Sequence, residues 1–221
     1  MLRPNTIVIF LGSPGAGKGS QARLLSREYS RPLISIGDTL REISQQRTSV
    51  GRKVRRALAS GELMDNEIIG KVVRTRTMSP DCGSGYLIDG YPRNLDQAEW
   101  LDGWAAHQQN KVVAVHLSIP KELVFTRTLG RWNCRACGSA FNIDTHPPKI
   151  RQSCDSCENQ LEQRIDDVAE IVELRYQTFE SETIPLLSYY ELGGRLISLD
   201  GQKPIESVFN DLQMALNLVT T

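Results

Sequence analysis

Long apolar runs are missing from this chain: across its 221 residues nothing approaches the ~18 consecutive apolar residues of a membrane-spanning helix. Residues 1–10 also lack the apolar centre and small-residue cleavage pattern of a secretory leader, so a soluble, cytoplasmic protein without a membrane partner is expected. Excess charge of one sign is missing too, with 26 Lys and Arg against 26 Asp and Glu. A zero balance offers no global field for nucleic acid or an anionic surface, so any basic site has to be local. Histidine is scarce, three in all and none beside a motif, so no general base stands out. Five cysteines are few for a disulfide scaffold. Repeats and low-complexity tracts are absent, and the length suits one sizeable core with small insertions rather than two full domains.

What is present begins at Ile7–Leu11, a continuous apolar run of the kind that forms a strand buried on both faces of a parallel sheet. Gly12, Gly15, Gly17 and Lys18 follow, and from Ser20 a helical pattern sets in with Leu24 and Leu25 on one face. Strand, glycine turn and helix together cradle phosphate. The glycines let backbone N–H groups turn inward, the helix directs its positive end to the same point, and Lys18 adds a full charge. Gly12, Gly17 and Lys18 meet the phosphate-loop spacing, but Gly19 stands where a hydroxyl is usual and Ser20 supplies it one place later. A plain glycine turn before a helix is the alternative.

Farther on, Pro32–Ser35 reads as a brief strand end, and Asp38 as the cap of a helix over residues 39–45. Residues 37–78 read as mostly helical, broken at Gly51 and Gly61. Their cations Arg47, Arg52, Lys53, Arg55 and Arg56 suit a solvated face, whereas Arg41, one turn past the cap, lies where a second phosphate could bind. Tyr86–Asp89 is a second buried strand ending in a carboxylate, the edge where open α/β sheets bind ligands. Asp89 would there orient hydrated Mg²⁺, or cap a turn. Residues 94–107 form a helix whose Trp100 and Trp104, at i and i+4, are expected to pack in the core rather than form a stacking platform. A strand over Val112–Leu117, a helix over Lys121–Leu129, a helix carrying Arg175 with Asp166 and Asp167 at its positive end, a strand over Arg195–Leu199 and a final amphipathic helix follow. Such alternation predicts a three-layer α/β/α domain around a parallel sheet.

Residues 131–163 differ in character. Cys134-x-x-Cys137 and Cys154-x-x-Cys157 are separated by sixteen residues, a spacing that brings four thiolates into a tetrahedron around Zn²⁺. No further ligand is suitably spaced, so the site reads as closed and structural, with disulfides or an iron–sulfur centre as alternatives. So short a segment cannot bury enough apolar surface alone, and zinc would hold it together. His146 reads as a loop residue and Cys82 as an inert buried thiol.

Arg41, Arg93, Arg131, Arg164 and Arg175 each stand at the edge of an expected element. With a phosphate loop they suggest a site for more negative charge than one nucleotide carries. Gly12–Gln21, Ile34–Asp38, Asp89-Gly-Tyr-Pro-Arg93 with Gln97, and Gln163–Asp167 together resemble the adenylate kinases, essentially end to end, and the cysteine insert resembles that of their long bacterial type. The resemblance implies a P-loop core at 1–34, 65–129 and 165–221, a helical NMP-binding domain at 35–64, and a zinc-binding lid at 130–164. It implies ATP phosphates wrapped by Gly15, Ala16, Gly17, Lys18, Gly19 and Ser20, completed by Arg131, main chain at Ala140 and Phe141, and Lys203. AMP would meet Ile36, Arg41, Glu62, Leu63, Met64, Gly90, Tyr91, Pro92, Arg93, Gln97, Arg164 and Arg175. Ser20 and Asp89 would attend Mg²⁺; Lys18 and Arg93, Arg131, Arg164 and Arg175 would be catalytic. The product would be ADP, the working unit a monomer. Ile36 replaces a threonine usual in the family, so kinases for UMP, CMP or GMP remain alternatives, whereas Gln97, where pyrimidine-specific relatives tend to carry Asn, offers an amide able to pair with an adenine edge and favours AMP. Two readings from other classes are a zinc-ribbon protein that binds nucleic acid and a catalytically inert nucleotide sensor.

Overall fold

The computed structural model describes residues 2–219. Five parallel strands form the central sheet: β1 (Thr6–Leu11), β2 (Leu33–Ser35), β3 (Leu87–Asp89), β4 (Lys111–Ser118) and β8 (Leu196–Asp200), in the order β2-β3-β1-β4-β8. β1 lies at the centre and every one of its side chains is buried, as its unbroken apolar sequence requires. Ile7, Ile9 and Leu11 face one layer, packed with Ile88, Leu101 and Tyr190; Val8 and Phe10 face the other, packed with Leu25, Val115 and Leu212. Each such fully buried side chain stabilises the fold by ~1.5–3 kcal/mol. The covering helices are α1 (Lys18–Tyr29), α4 (Asn66–Thr77), α5 (Leu95–His107), α6 (Lys121–Leu129), α7 (Ala169–Thr178), α8 (Ile184–Leu192) and α9 (Ile205–Val219). Among the described residues no helix is long and apolar enough to cross a membrane.

Two excursions leave this core. The first is a helical pair, α2 (Ile36–Gln45) and α3 (Ser49–Ser60). The second is an antiparallel sheet of β5 (Arg131–Cys134), β6 (Ala140–Asn142) and β7 (Leu161–Glu162), with β5 central.

Several local expectations are corrected. α2 starts at Ile36, and Ser35 is its cap, its hydroxyl accepting from the Asp38 N–H at 3.4 Å. Asp38 therefore sits in the first turn and pairs with Arg41. Gly51 does not break a helix: it lies inside α3, where a Cβ would come within 2.3 Å of the Gln46 carbonyl oxygen. Its bareness lets α3 start tight against the end of α2, and Thr48 caps it instead. Asp166 and Asp167 precede α7, which begins at Ala169 behind Val168, and in addition both carboxylates bind arginines. Trp100 and Trp104 stack on each other, centroids 5.9 Å apart, but Trp100 stays 36% exposed instead of entering the core. His146 is more than a loop residue, since it pairs with Asn142 and its ring stacks on Phe141. Cys82 is buried, and burial pushes its thiol up, in keeping with inertness.

Candidate active site

Residues 12–17 turn the chain from β1 into α1, which places Lys18 on the first helical turn. Gly12 and Gly15 are needed twice over: both have positive φ, and Cβ atoms there would lie 2.6 Å from Leu117 O and 2.9 Å from Thr128 Oγ1. Gly19, the departure from the usual spacing, also has a reason. A Cβ at 19 would approach Asp89 Oδ2 to 3.0 Å, so the missing side chain makes room for that carboxylate. Register explains why Asp89 is there, for Ser35, Asp89 and Phe10 align at the carboxyl edge of β2, β3 and β1. Lys18 curls back to donate from Nζ to Gly12 O (2.8 Å) and Ser13 O (2.7 Å). Burial draws its ammonium down to about 7, against the pull of Asp89 and with repulsion from Arg93, Arg175 and Arg131.

Around this turn the structure gathers the predicted arginines. A cleft runs from Gly15–Ser20 across Asp89 to Arg41, Arg93, Arg164 and Arg175. Arg93 is fixed at three points: its Nε donates to Gly90 O, its backbone N–H to Gln97 Oε1, and its carbonyl accepts from the Thr183 hydroxyl. Thr183 ends a π turn between α7 and α8. Arg175 pairs with Asp166 at 2.8 Å, and Arg131 grips Asp167 with a two-pronged contact. Arg164, at the root of the small sheet, comes within 3.9 Å of Asp38 on α2. Burial lowers Arg93, draws Arg164 to about 9 and Arg175 to about 10, with neighbouring arginines adding repulsion. Desolvation and repulsion thus outweigh the carboxylates present. A bound polyanion would reverse this imbalance.

A second cleft of about 640 Å³, the open solvent at its mouth included, adjoins the first. Ile36, Leu40, Val54, Leu58 and Met64 make it largely aliphatic; Glu62, Leu63, Gly90, Tyr91, Gln97 and Arg175 also line it. Not every predicted residue gathers here. Pro92 lines an adjoining cleft with Lys18, and Arg131 is held at the edge by Asp167. Ala140 and Phe141 lie on β6, with Phe141 packed into the small sheet's own cluster. Lys203 pairs with Asp211 on the surface at 2.7 Å.

Sequence reasoning missed Arg127 and Arg23. Arg127 has its Cβ 3.2 Å from a Cβ placed at Gly15 and donates to Gly201 O and Gln202 O. Arg23 reaches from α1 to the small sheet, 3.4 Å from a Cβ placed at Gly138. Each sits on an ordinary helix face, and only tertiary placement gives Arg127 its carbonyl partners and sets Arg23 at the phosphate cleft.

Sγ atoms of Cys134, Cys137, Cys154 and Cys157 lie within 4.8 Å of one another. Two equivalent turns present them: Gly138 N–H returns to Cys134 O and Glu158 N–H to Cys154 O, both residues at positive φ. Four converging thiols in so small a volume can hold a metal ion, and a tetrahedral thiophilic one fits the donor set.

The family model of adenylate kinase matches residues 10–195. The chain belongs to the adenylate kinase family. An adenylate kinase of Clostridium kluyveri is 39% identical over 213 residues, covering 96% of this chain and 98% of that protein. Those of Archaeoglobus fulgidus and Caldanaerobacter subterraneus subsp. tengcongensis are each 40% identical, covering 96% and 95% of this chain and 98% and 95% of their own lengths. The chain is thus an enzyme of the adenylate kinase class, a nucleoside monophosphate kinase of the long type with a four-cysteine lid.

Proposed function

We propose that the enzyme transfers the γ-phosphoryl group of ATP reversibly to AMP, giving two ADP. The supporting observation is the convergence of Lys18, Arg41, Arg93, Arg164 and Arg175 on one cleft, with several of these cations pushed toward neutrality by burial and by one another. That charge excess suits two nucleotides with their phosphates end to end better than one. In this reading residues 1–34, 65–129 and 165–221 are the core, 35–64 binds the acceptor nucleotide, and 130–164 is the lid. Gly15–Ser20 hold the donor phosphates, assisted by Arg131 and main chain at Ala140 and Phe141, with Lys203 on the donor side.

The aliphatic cleft takes the acceptor base. Gln97 Oε1 already accepts from the Arg93 N–H and its Nε2 donates to Asn66 Oδ1, so one N–H remains for a ring nitrogen of adenine. Arg41, Arg93, Arg164 and Arg175 hold the phosphates between the nucleotides. The attacking oxygen belongs to a phosphate monoester, whose second pKa is ~6, so it is ionised without a base. Catalysis is then alignment and positive charge, with water kept out by the lid. Ser20 and Asp89 are hard oxygen donors that fit Mg²⁺, which when bound neutralises charge on the transferring phosphates. The four thiols hold structural Zn²⁺. The working unit is a cytoplasmic monomer with no nucleic-acid or membrane partner.

Ile36 favours a second reading. It is fully buried and offers the base no hydrogen bond, so UMP, CMP or GMP is the rival acceptor. ADP production from ATP with each of the four monophosphates decides between them. AMP is expected to give the highest kcat/KM, by at least ~10-fold, and an equal or better rate with another acceptor overturns the assignment.

A further inference from the structure

Behind the acceptor cleft, between α4 and α5, lies another of about 700 Å³, its mouth included. Tyr91 and Gln97 line both. Trp100 forms part of its wall: it stacks on Trp104 at 10° between planes, meets Tyr91 edge-on at 6.3 Å, and keeps 36% of its surface exposed. Gly70 also lines it, inside α4, where glycine is disfavoured and no left-handed turn requires it. A Cβ built on Gly70 would meet nothing within 4 Å. The bare position keeps the cleft open.

The rim carries one group of each charge outside any ion pair among the described residues. Arg74 lies 5.3 Å from the Trp104 ring centre and pairs with no carboxylate among the described residues. Asp96 meets only the Asn66 amide, at 3.4 Å, whereas Lys71 and Glu67 neutralise each other at 2.6 Å. An exposed indole flanked by a cation and a carboxylate that lie outside any ion pair suits a flat, uncharged heteroaromatic ring.

We propose that this cleft binds such a ring, of the nucleobase or indole class, against Trp100, and that its occupant changes acceptor binding through Tyr91 and Gln97. Asn66 carries the connection: on the rear cleft's rim, it accepts from Gln97 Nε2 at 2.8 Å, and Gln97 in turn accepts from the Arg93 N–H. Binding stands on the rear cleft alone; the coupling rests on the acceptor reading above.

The test is calorimetric titration of the full-length, metal-loaded enzyme with adenosine and, separately, indole, after saturation with a bisubstrate mimic joining two adenosines through five phosphates. With the substrate clefts filled, one further site is expected, weakened at least tenfold both by Trp100→Ala and by Gly70→Leu, which fills the open space. The stronger of the two ligands identifies the ring source. No residual binding by either compound, or binding that Gly70→Leu leaves untouched, overturns the site. Without the mimic, the better ligand is expected to change the acceptor KM at least twofold in the natural enzyme and not in Gly70→Leu; binding with an unchanged KM overturns the coupling. Should the mimic itself fail to bind, the substrate-cleft reading falls, while the indole response of the two variants still judges the rear cleft.

Discussion

Lys18 illustrates what a single buried charge does. Drawn to about 7 by burial, its ammonium is mostly neutral in the free enzyme at pH 8. Donor phosphates would restore the charge, so ATP binding at that pH is expected to take up about one proton. Calorimetry in buffers of different ionisation enthalpy measures this, and Lys18→Ala should abolish it. The same variant, and Arg131→Ala, are expected to lose on the order of 10³-fold in kcat while remaining folded by circular dichroism. Unfolding of either near room temperature would count against their assigned roles. Glu158 offers a second residue-scale test, because it adopts the left-handed turn that glycine fills at the equivalent Gly138. Glu158→Gly should stabilise the lid by ~1 kcal/mol, read as slower loss of metal to a chelator. Lys18, the glycines and the arginine set were legible in the chain because their types and spacings carry chemistry directly. The reason for Gly19 was not, since only strand register brings Asp89 beside it.

At the scale of elements, the sheet strands were the most legible, because an unbroken apolar run has few alternatives to a doubly covered strand. Helix limits were less so. Gly51 looked like a break, and its actual purpose, close packing on Gln46, is tertiary. Asp166 and Asp167 do stand before the positive end of α7, but their pairing with Arg175 and Arg131 is tertiary and was not legible. The small antiparallel sheet has a meagre apolar cluster, with Phe141, Leu161, Cys134 and Cys154 its only buried members among the described residues. Metal binding of ~10–16 kcal/mol in comparable sites would dominate its stability. Removing metal with a strong chelator is therefore expected to expose residues 131–163 to protease while the parallel sheet stays protected. Protease resistance throughout 131–163 after verified metal removal would show that packing alone suffices.

For the molecule as a whole, the burial of so many cations has a thermodynamic signature. Lys18 near 7, Arg164 near 9 and Arg175 near 10 all lie below their unfolded values. Between about pH 7 and 10 the unfolded chain therefore binds more protons than the folded one, and these groups make stability rise with pH across that window. Below pH 7 the penalty for Lys18 is present in full. The Tm of the free enzyme should accordingly increase from pH 7 to 9, and the bisubstrate mimic should raise Tm most at pH 7 and flatten the slope. Architecture and charge balance were readable from the chain; the rear cleft was not, since only tertiary packing brings Gly70 of α4 and Trp100 of α5 to one cleft. One contact carries a reciprocal obligation. Arg23, on the helix that begins at the phosphate turn, places its guanidinium beside Gly138, the neighbour in sequence of Cys137, and 3.4 Å from where a Cβ on that glycine would stand. If metal occupancy steadies the grip on nucleotide through that arm, then nucleotide must by the same amount retain the metal, and a well-fed enzyme would surrender a metal bound at the four thiols more slowly than a starved one.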